Sequence, residues 1–356
     1  METAEEQPRD AVTVCLVMGE RSAEICGVSD YTRHLCDALR EIGGVNVRLH
    51  AVNDISGRAD VAAVRRTFGL IRRSAPDVVH FQLPSVAYNK RVAPFLLPSL
   101  IRWGTRRRPR VVLTFHESSN PTRLWECRYG AALLAADAVI RVAPTVEVAG
   151  WHKTLLSRRR ELVVPIASTI AVREAGKAPD ARTLFRAPVT HVMTSFGLVI
   201  AEKRIEEMLD WVATQSGIGL LIVGGHRPGD PYPERIRRRI QDLDLTPRVV
   251  MTGWRAEEEV AGYLRSSDAV LVPVVRPQSG AYRAAYEHGI PVVSLTPPGV
   301  SDPTTGVVVL EALRGQPLDE VLKEARAEMK RASARVTWDE IARIHRALYR
   351  DLARER

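Results

Sequence analysis

The segment from residue 276 to residue 294 contains the arrangement of residues best suited to binding an anion. Its sequence is RPQSGAYRAAYEHGIPVVS, and Ser279-Gly280 stands where a helix is predicted to begin. Backbone N–H groups at the start of a helix are free to donate, and the positive end of the helix dipole favours a phosphate there. Gly289 and Pro291 predict the end of the helix before a buried strand. We therefore predict an anion site at a sheet edge, formed by Ser279, Gly280 and Ala281.

Apolar runs alternate with amphipathic segments along both halves of the chain. In the first half, strand-like runs begin at Val12, Val45, Asp77, Val111 and Ala138, and helical segments separate them. After the first half, strands and helices alternate again, from a strand at 189–196 to the anion segment. Strands separated by helices of this length predict parallel sheets with helices on both faces.

The length of 356 residues exceeds the usual size of one hydrophobic core and predicts two domains. A polar stretch at 173–186, with Gly176 and Pro179, is typical of a linker. We predict doubly wound α/β domains at 1–172 and 187–335. The tail at 336–356 has apolar residues at helical spacing and is predicted to pack back toward the first domain.

The composition of the chain indicates the compartment in which the protein is expected. No apolar run approaches the roughly 18 residues that cross a bilayer, and the first residues, METAEE, are acidic, unlike a signal peptide. We therefore expect a cytoplasmic protein. The four cysteines lack the paired spacing of a zinc site, so the sequence predicts no bound metal and no cofactor.

The chain is basic, with a net charge of +9, and only six of its 51 basic residues are lysines. The runs at 106–108 and 158–160 are short, and no aromatic residues interleave them as a stacking platform requires. This pattern argues against nucleic acid as a partner. Attraction to anionic lipid headgroups is the better interpretation, which would place the protein peripherally at the inner membrane surface.

Five loops that follow predicted strands contain residues that are candidates for binding or catalysis. In a doubly wound domain such loops lie at the carboxyl edge of the sheet, where ligands bind. Two such domains facing each other would line a cleft with both sets of loops. These loops span residues 26–31, 116–117, 197–204, 224–231 and 276–282.

The motifs at these strand ends resemble retaining GT-B glycosyltransferases of the family-4 type, in order and over nearly the whole chain. The resemblance implies two Rossmann-like domains facing across a cleft and transfer of a sugar from a nucleoside diphosphate. The matching segments are GVSDYT at 27–32, PDVVHFQ at 76–82, LTFHE at 113–117, FGL at 196–198 with Lys203, LIVGG at 221–225, VMTGW at 250–254, SDAVLVP at 267–273 and GIPVV at 289–293.

The resemblance assigns the catalytic and donor residues. Lys203 matches the family's phosphate-binding lysine, and Arg204 beside it is a second cation. His116 matches the histidine that meets the donor sugar. The donor is expected at Gly27, Gly197, Gly225, Ser279, Gly280, Ala281 and Glu287, with the diphosphate against the glycines and the helix start. The nucleobase is expected against Gly253 and Trp254, and the acceptor, a small molecule, glycan or lipid-linked compound, near Asp30, Gln82, Tyr88 and Glu117.

The anion segment departs from the family pattern. The family's two glutamates, eight residues apart, would fall at Arg276 and Ala284, and neither position is acidic. Glu287, one helical turn beyond Ala284, is a candidate to replace the second glutamate at the ribose. Arg276, with Gln278 beside it, implies a donor sugar with an anionic group or with fewer hydroxyls. Leu198 also stands where the family commonly has arginine.

Other functions fit parts of this pattern. A homologue that kept the fold and lost the glutamates would act as a binding or partner subunit, and a GT-B epimerase would act on a nucleotide sugar without an acceptor. A nicotinamide-dependent enzyme fits less well, because the segment GGHRPG at 224–229 lacks the G-x-G-x-x-G spacing. The sequence leaves the oligomeric state open.

Overall fold

The computed structural model describes residues 11–19, 27–52, 60–83, 93–118, 127–148, 150–170, 180–276, 278–299, 303–313, 315–332 and 336–355. The chain divides into two compact units. The first contains residues 1–166 and 336–356, and the second contains residues 167–335. Each unit is an α/β domain built on one parallel sheet of six strands, so the predicted fold class is confirmed.

The strands of the first unit are β1 (Val12–Gly19), β2 (Val45–Val52), β3 (Val78–Leu83), β4 (Arg110–Phe115), β5 (Ala138–Arg141) and β6 (Arg160–Val163). They lie in the order β2-β1-β3-β4-β5-β6, and every pairing is parallel. The direction of winding therefore changes between β1 and β3, which is where a doubly wound sheet opens a ligand crevice. Both strands end just before residues outside the described part of the chain.

The helices of the first unit are α1 (Gly27–Ile42), α2 (Asp60–Ser74), α3 (Ala93–Gly104), α4 (Arg128–Ala135), α5 (Trp151–Leu156) and, from the chain's last residues, α11 (Trp338–Arg354). Helices α2 to α5 pack on one face of the sheet and share its apolar core. Helix α1 contacts α11, and α11 contacts β1 and β3. Arg346 of α11 donates to the carbonyl oxygens of Ile42 and Gly43 at the end of α1.

The strands of the second unit are β7 (His191–Phe196), β8 (Ile218–Val223), β9 (Val249–Gly253), β10 (Ala269–Val272), β11 (Val292–Ser294) and β12 (Val307–Val309). Its helices are α6 (Ile205–Ala213), α7 (Tyr232–Asp242), α8 (Glu257–Arg265), α9 (Gly280–Glu287) and α10 (Leu318–Arg331). The strand order is β12-β11-β10-β7-β8-β9. Neighbouring residues such as Leu220 and Leu221 enter opposite cores, so both faces of this sheet are covered.

The division between the units lies at residue 166, a few residues before the predicted boundary at 172. Ile170 joins the apolar core of the second unit, and the Ser168 N–H donates to Glu287 of that unit at 2.8 Å. Segment 167–170 therefore belongs with the second domain. The sequence pattern missed α5, β6, β12 and α10, and Arg160, interpreted as part of a loop, begins edge strand β6. None of the helices in the described part of the chain is long and apolar enough to cross a membrane.

Candidate active site

The crevice of the second unit lies between β7 and β10, where the strand order changes direction. The loop after β7 contains Gly197 and Lys203, and the loop after β10 leads to Ser279 and Gly280 at the start of α9. In open α/β sheets, ligands bind outside the carboxyl ends of the strands at such a point. The topology thus places the two strongest phosphate-binding motifs of the sequence on the two strands that border one crevice.

Gly197 and Gly224 pack backbone against backbone beside this crevice. Gly197 has a φ of +113° and Gly224 a φ of +148°, a conformation that favours glycine at both positions. A Cβ on Gly224 would lie 1.9 Å from the Gly197 carbonyl oxygen. The Gly197 N–H also donates to the Val223 carbonyl at 2.9 Å, and the Val199 N–H donates to the Gly225 carbonyl at 2.9 Å. These contacts fix the course of the loop that leads to Lys203.

Lys203 turns its ammonium back toward this loop. Its Nζ donates to the Phe196 carbonyl oxygen at 3.1 Å and lies 3.3 Å from the ideal Cβ position of Gly197. Burial lowers the pKa of the Lys203 ammonium. In the described part of the chain no carboxylate pairs with it. A partly buried ammonium with one neutral partner is stabilised when an anion joins it, so this position suits a phosphate.

Helix α9 presents its first turn at the other side of the crevice. Ser279 is the N-cap, and its hydroxyl accepts from the Tyr282 N–H at 3.3 Å. Among the described residues, the N–H groups of Gly280 and Ala281 have no protein acceptor. A Cβ on Gly280 would meet nothing within 4 Å. The first turn of α9 therefore has two free donors and open space, as an anion site requires.

The two positions of the missing glutamates differ in their surroundings. Ala284 is 1% exposed and packs in the apolar core of the second unit, whereas Arg276 is exposed. Between Arg276 and the helix, the side-chain oxygen of Gln278 is buried and accepts no hydrogen bond from any described group. A buried acceptor without a partner is rare in proteins and indicates a missing water or ligand.

Glu287 and Arg204 both have protein partners. The Glu287 carboxylate, in the last turn of α9, accepts from the Ser168 N–H. Arg204, which has a φ of +49° ahead of α6, forms two hydrogen bonds of 2.5 Å with Glu207. This pair is exposed and contributes little to stability, so an anionic ligand can compete for Arg204. The ribose role of Glu287 and the phosphate role of Arg204 stay predictions.

The predicted nucleobase wall lies at the end of β9. Gly253 accepts a hydrogen bond from the Gly224 N–H at 3.1 Å, so it is tied to the glycine pair of the crevice. Trp254 follows it with 63% of its surface exposed. An exposed indole offers a free face for stacking, and its contact with a base stays a prediction.

A buried polar chain crosses the sheet of the first unit and ends at His116. His116 Nε2 lies 2.7 Å from Gln82 Oε1, and Gln82 Nε2 lies 3.4 Å from His80 Nε2. His80 Nε2 also lies 2.6 Å from the Thr114 hydroxyl, and His80 Nδ1 lies 2.6 Å from the Tyr349 hydroxyl of α11. The C-terminal helix is thereby connected to the histidine at the end of β4.

This geometry corrects the predicted role of Gln82. We predicted an acceptor contact, but Gln82 is 0% exposed and both ends of its amide are occupied within the chain. Its position is that of a residue that orients His116. The sequence carried a signal for this, because His80 and Gln82 alternate on one face of an otherwise apolar strand. Thr114 and His116 alternate in the same way, and Gln82 is paired with Thr114 across the sheet.

The hydrogen bond with Gln82 selects the tautomer of His116. Gln82 Oε1 accepts from a protonated Nε2 of His116, and the amide nitrogen of Gln82 lies 3.4 Å from His80 Nε2. The Thr114 and Tyr349 hydroxyls, each 2.6 Å from a ring nitrogen, hold His80 in place. His116 also contacts the Tyr31 ring edge to face at 5.0 Å, and desolvation lowers its pKa to about 3. His116 is therefore a neutral imidazole held in one orientation.

The other residues predicted in the first unit lie near this chain or outside the described residues. Gly27 is the first residue of α1, exposed, with open space at its Cβ position. Asp30, in the first turn of α1, pairs with Arg33 at 3.5 Å. Glu117 follows His116 and accepts from the Tyr129 hydroxyl at 2.9 Å. Tyr88 lies outside the described residues.

Comparison with known proteins connects this geometry to a family. Residues 190–314 match the model of the family described as glycosyl transferases group 1. Among solved structures, sucrose-phosphate synthase from Thermosynechococcus elongatus has a TM-score of 0.73 at 18% identity, covering 97% of this chain and 100% of that chain. The second unit is thus similar to this family, and the whole chain shares the GT-B fold of the solved glycosyltransferase structures.

Two further structures extend this similarity of fold. The catalytic domain of starch synthase IV from Arabidopsis thaliana, bound to ADP and acarbose, has a TM-score of 0.68 at 11% identity and covers 97% of this chain and 99% of its own. HepE from Anabaena, in complex with UDP and glucose, has a TM-score of 0.60 at 15% identity and covers 97% of this chain and 98% of its own. No curated protein matches this chain by sequence.

The glycine pair of the second unit gives a stability prediction. Gly224→Ala should lower the free energy of unfolding by about 2–5 kcal/mol, because the new Cβ clashes with the Gly197 carbonyl and the backbone is strained. Gly229→Ala is the matched control, since Gly229 has a φ of +75° but open space around its Cβ. Urea unfolding monitored by circular dichroism measures both. Equal losses in the two variants would show that the close approach is unimportant.

The buried histidines give a pH prediction. Burial lowers the pKa of His345 to about 4 and holds the pKa of His80 well below 6.5. The unfolded chain therefore binds more protons below pH 6.5, and the stability these residues contribute at neutral pH declines as the pH falls. We expect a loss of about 1.4 kcal/mol per pH unit for each between pH 6.5 and 5. His345→Gln should remove the share of this pH dependence that His345 contributes in urea unfolding, and the exposed His226→Gln should leave it unchanged. An unchanged slope in the first variant would contradict the assignment.

Proposed function

We propose that the protein transfers a sugar from a nucleoside-diphosphate sugar to an acceptor hydroxyl with retention at the anomeric carbon. The observation that carries this proposal is the covered, unpaired ammonium of Lys203 in a crevice whose other strand leads to the free N–H groups of Gly280 and Ala281. The family match at 190–314 includes these residues. HepE, a relative in fold, has been solved with UDP-glucose, and its fold is shared over 97% of this chain.

The reaction needs charge neutralisation more than a protein base. The bond between the anomeric carbon and the β-phosphate oxygen breaks, and the acceptor oxygen bonds to the same face of the sugar. The proton of the acceptor hydroxyl passes to the departing phosphate. Lys203 and the first turn of α9 stabilise the negative charge that develops on the diphosphate, with Arg204 as a second cation. Gly27, Gly197 and Gly225 would allow the backbone close to the phosphates.

The donor sugar is expected to be unusual. A carboxylate at residue 284 would be buried among apolar side chains, and at residue 276 the chain offers an exposed cation. We propose that Arg276 and Gln278 contact a sugar that is anionic or deoxygenated. Gln278 has a buried oxygen that needs a donor, and a sugar hydroxyl can supply one.

The remaining parts of the reaction are proposed from the resemblance. His116 is proposed to meet the donor sugar, and Asp30 and Glu117 are proposed to orient a small-molecule, glycan or lipid-linked acceptor. No bound metal or cofactor is proposed, because cations and helix N–H groups replace a metal in this scheme. Trp254 is proposed to cover the base. The cytoplasm is proposed as the location of the reaction.

A donor screen tests the proposal. The full chain is heated with UDP, GDP, ADP and dTDP, and a ligand at about 100 times its Kd should stabilise the native state by about 2.7 kcal/mol. The diphosphate that binds then selects the sugar nucleotides to assay, and NMR of the product reads its anomeric configuration. Absence of stabilisation by all four diphosphates would overturn the enzyme assignment, and an inverted product would overturn retention.

The missing glutamates favour a second candidate, a binding or partner subunit that keeps the fold without turnover. Such a protein would bind a diphosphate in the screen and release no sugar in the presence or absence of acceptors. A GT-B epimerase would instead convert one nucleotide sugar to another without an acceptor. Product analysis with and without acceptor separates the three possibilities.

A further inference from the structure

The outer surface of helices α2 to α5 combines exposed apolar side chains with a single sign of charge. These four helices contact one another in chain order and share the core on one face of the first unit's sheet. Seven of the ten exposed large apolar residues in the described part of the chain lie on them. They are Val61, Leu70, Leu96, Leu100, Trp103, Leu134 and Trp151. Such clustering on one layer indicates a surface that is covered by something other than water.

Helix α3 is the centre of this surface. Leu96, Leu100 and Trp103 are spaced four and three residues apart, so they lie on one side of the helix. Their exposures are 42%, 47% and 57%. The opposite side of α3, with Phe95, Leu97 and Ile101, is buried in the core. Helix α3 is thus apolar on both sides, which core packing alone does not explain.

The charged residues of segments 61–76 and 93–116 are all positive. These segments together contain nine arginines and no aspartate or glutamate. Asp137, just before β5, pairs with two of them, Arg102 at 3.3 Å and Arg110 at 2.7 Å. The other seven are exposed, at positions 65, 66, 72, 73, 106, 107 and 108. An anionic partner is therefore the one that complements this surface.

A cavity of about 490 Å³ lies where α2 and α3 end. Arg72, Arg106 and Arg107 line it, together with Thr105 and Gly104, and no acidic side chain does. Gly104 directly follows Trp103, so the cavity adjoins the apolar strip. Guanidinium groups around a recess suit a phosphate group.

We propose that the α2–α5 surface binds a lipid bilayer that carries anionic phosphate headgroups. Leucine and tryptophan side chains enter the boundary between headgroups and acyl chains, while arginines remain among the headgroups. The cavity would receive one headgroup phosphate. A nucleic acid would use arginines but not exposed leucines, because single-stranded bases stack on aromatic rings. The proposal concerns this surface alone and does not depend on the sugar or nucleotide used.

Vesicle flotation of the full chain tests the proposal. We expect binding to vesicles of equimolar phosphatidylcholine and phosphatidylglycerol, little binding to phosphatidylcholine alone, and weaker binding near 1 M NaCl, where the Debye length is about 3 Å. The triple variant Arg72→Gln, Arg106→Gln, Arg107→Gln should bind about 100-fold more weakly, because each arginine near an anionic surface contributes about a five-fold gain. The control variant Arg237→Gln, Arg238→Gln, Arg331→Gln loses the same charge from exposed sites of the second unit and should bind nearly as well as wild type.

Apolar variants separate insertion from charge attraction. Leu96→Ser with Leu100→Ser should weaken binding to anionic vesicles by about 10-fold or more, whereas Ile344→Ser, at a 41% exposed position of α11, should not. Brominated lipids should quench the fluorescence of the wild type, and Trp103→Phe should remove much of that quenching. All these positions are exposed, and circular dichroism would check that each variant folds.

Three results would overturn the proposal. The first is that the wild-type protein does not float with anionic vesicles. The second is that the two triple variants lose vesicle binding to the same extent. Normal vesicle binding by the leucine variant, combined with displacement of the protein from vesicles by RNA, would assign the arginines to nucleic acid instead.

Discussion

Lys203→Met is expected to abolish most transfer activity while leaving the unliganded protein as stable as before, or more so. Methionine keeps the length of the side chain and removes its charge. The Lys203 ammonium is covered and has one neutral partner, the Phe196 carbonyl, so the native state without ligand gains little from the charge. With a diphosphate bound, the same ammonium neutralises the leaving group. We expect kcat/KM to fall by about 100- to 1,000-fold.

Lys203→Met is expected to weaken diphosphate binding without lowering the stability of the unliganded protein, and measuring both properties makes the experiment decisive. Isothermal titration with the diphosphate found in the donor screen should show a large loss of affinity in Lys203→Met. Thermal unfolding without ligand should show an unchanged or raised Tm. The exposed Lys323→Ala on α10 is the control and should change neither. A lowered Tm with normal diphosphate affinity would show that Lys203 is a packing residue and that the phosphate lies elsewhere.

The sequence predicted the strands and loops around this crevice well because the signals for them are local. Neighbouring residues are enough to predict a helix start at Ser279-Gly280 and a loop that begins with a glycine after an apolar run. The strand order then brings these two loops to one crevice. Alternating apolar runs also predicted most strands within about two residues. Elements β12 and α5, of three and six residues, were missed because so few residues carry little periodicity.

What the sequence could not predict depends on residues far apart in the chain. The contact between His80 and Tyr349 joins positions 269 residues apart, and no pattern within either segment indicates the other. The close approach of Gly197 and Gly224 is of the same kind, since each glycine alone is compatible with an ordinary turn. Gln82 was placed at the acceptor for this reason. The sequence shows that Gln82 alternates with His80 along β3, but it does not show that Gln82 contacts His116 after the next strand.

Gln82→Leu is expected to lower kcat by about 100-fold with little change in KM for the donor, if His116 acts at the donor sugar. Leucine fills the same volume but neither accepts from His116 Nε2 nor donates to His80. His116 then rotates and exchanges tautomers, and misplacement of a reacting group by about 1 Å can cost about 100-fold in rate. Steady-state kinetics on the full chain measures the split between kcat and KM. The exposed Gln241→Leu on α7 is the control.

Gln82→Glu distinguishes orientation from packing. A carboxylate still accepts from His116 but carries a negative charge, so it should raise the pKa of His116 from about 3 toward the neutral range. If the neutral imidazole is the active form, Gln82→Glu should retain activity at high pH and lose it as the pH falls through the raised pKa. Nitrogen NMR of labelled histidines should report one His116 tautomer in the wild type, protonated at Nε2, and a mixture in Gln82→Leu. A mixture in the wild type would contradict the role of Gln82, because its Oε1 can only accept and therefore selects the His116 tautomer protonated at Nε2.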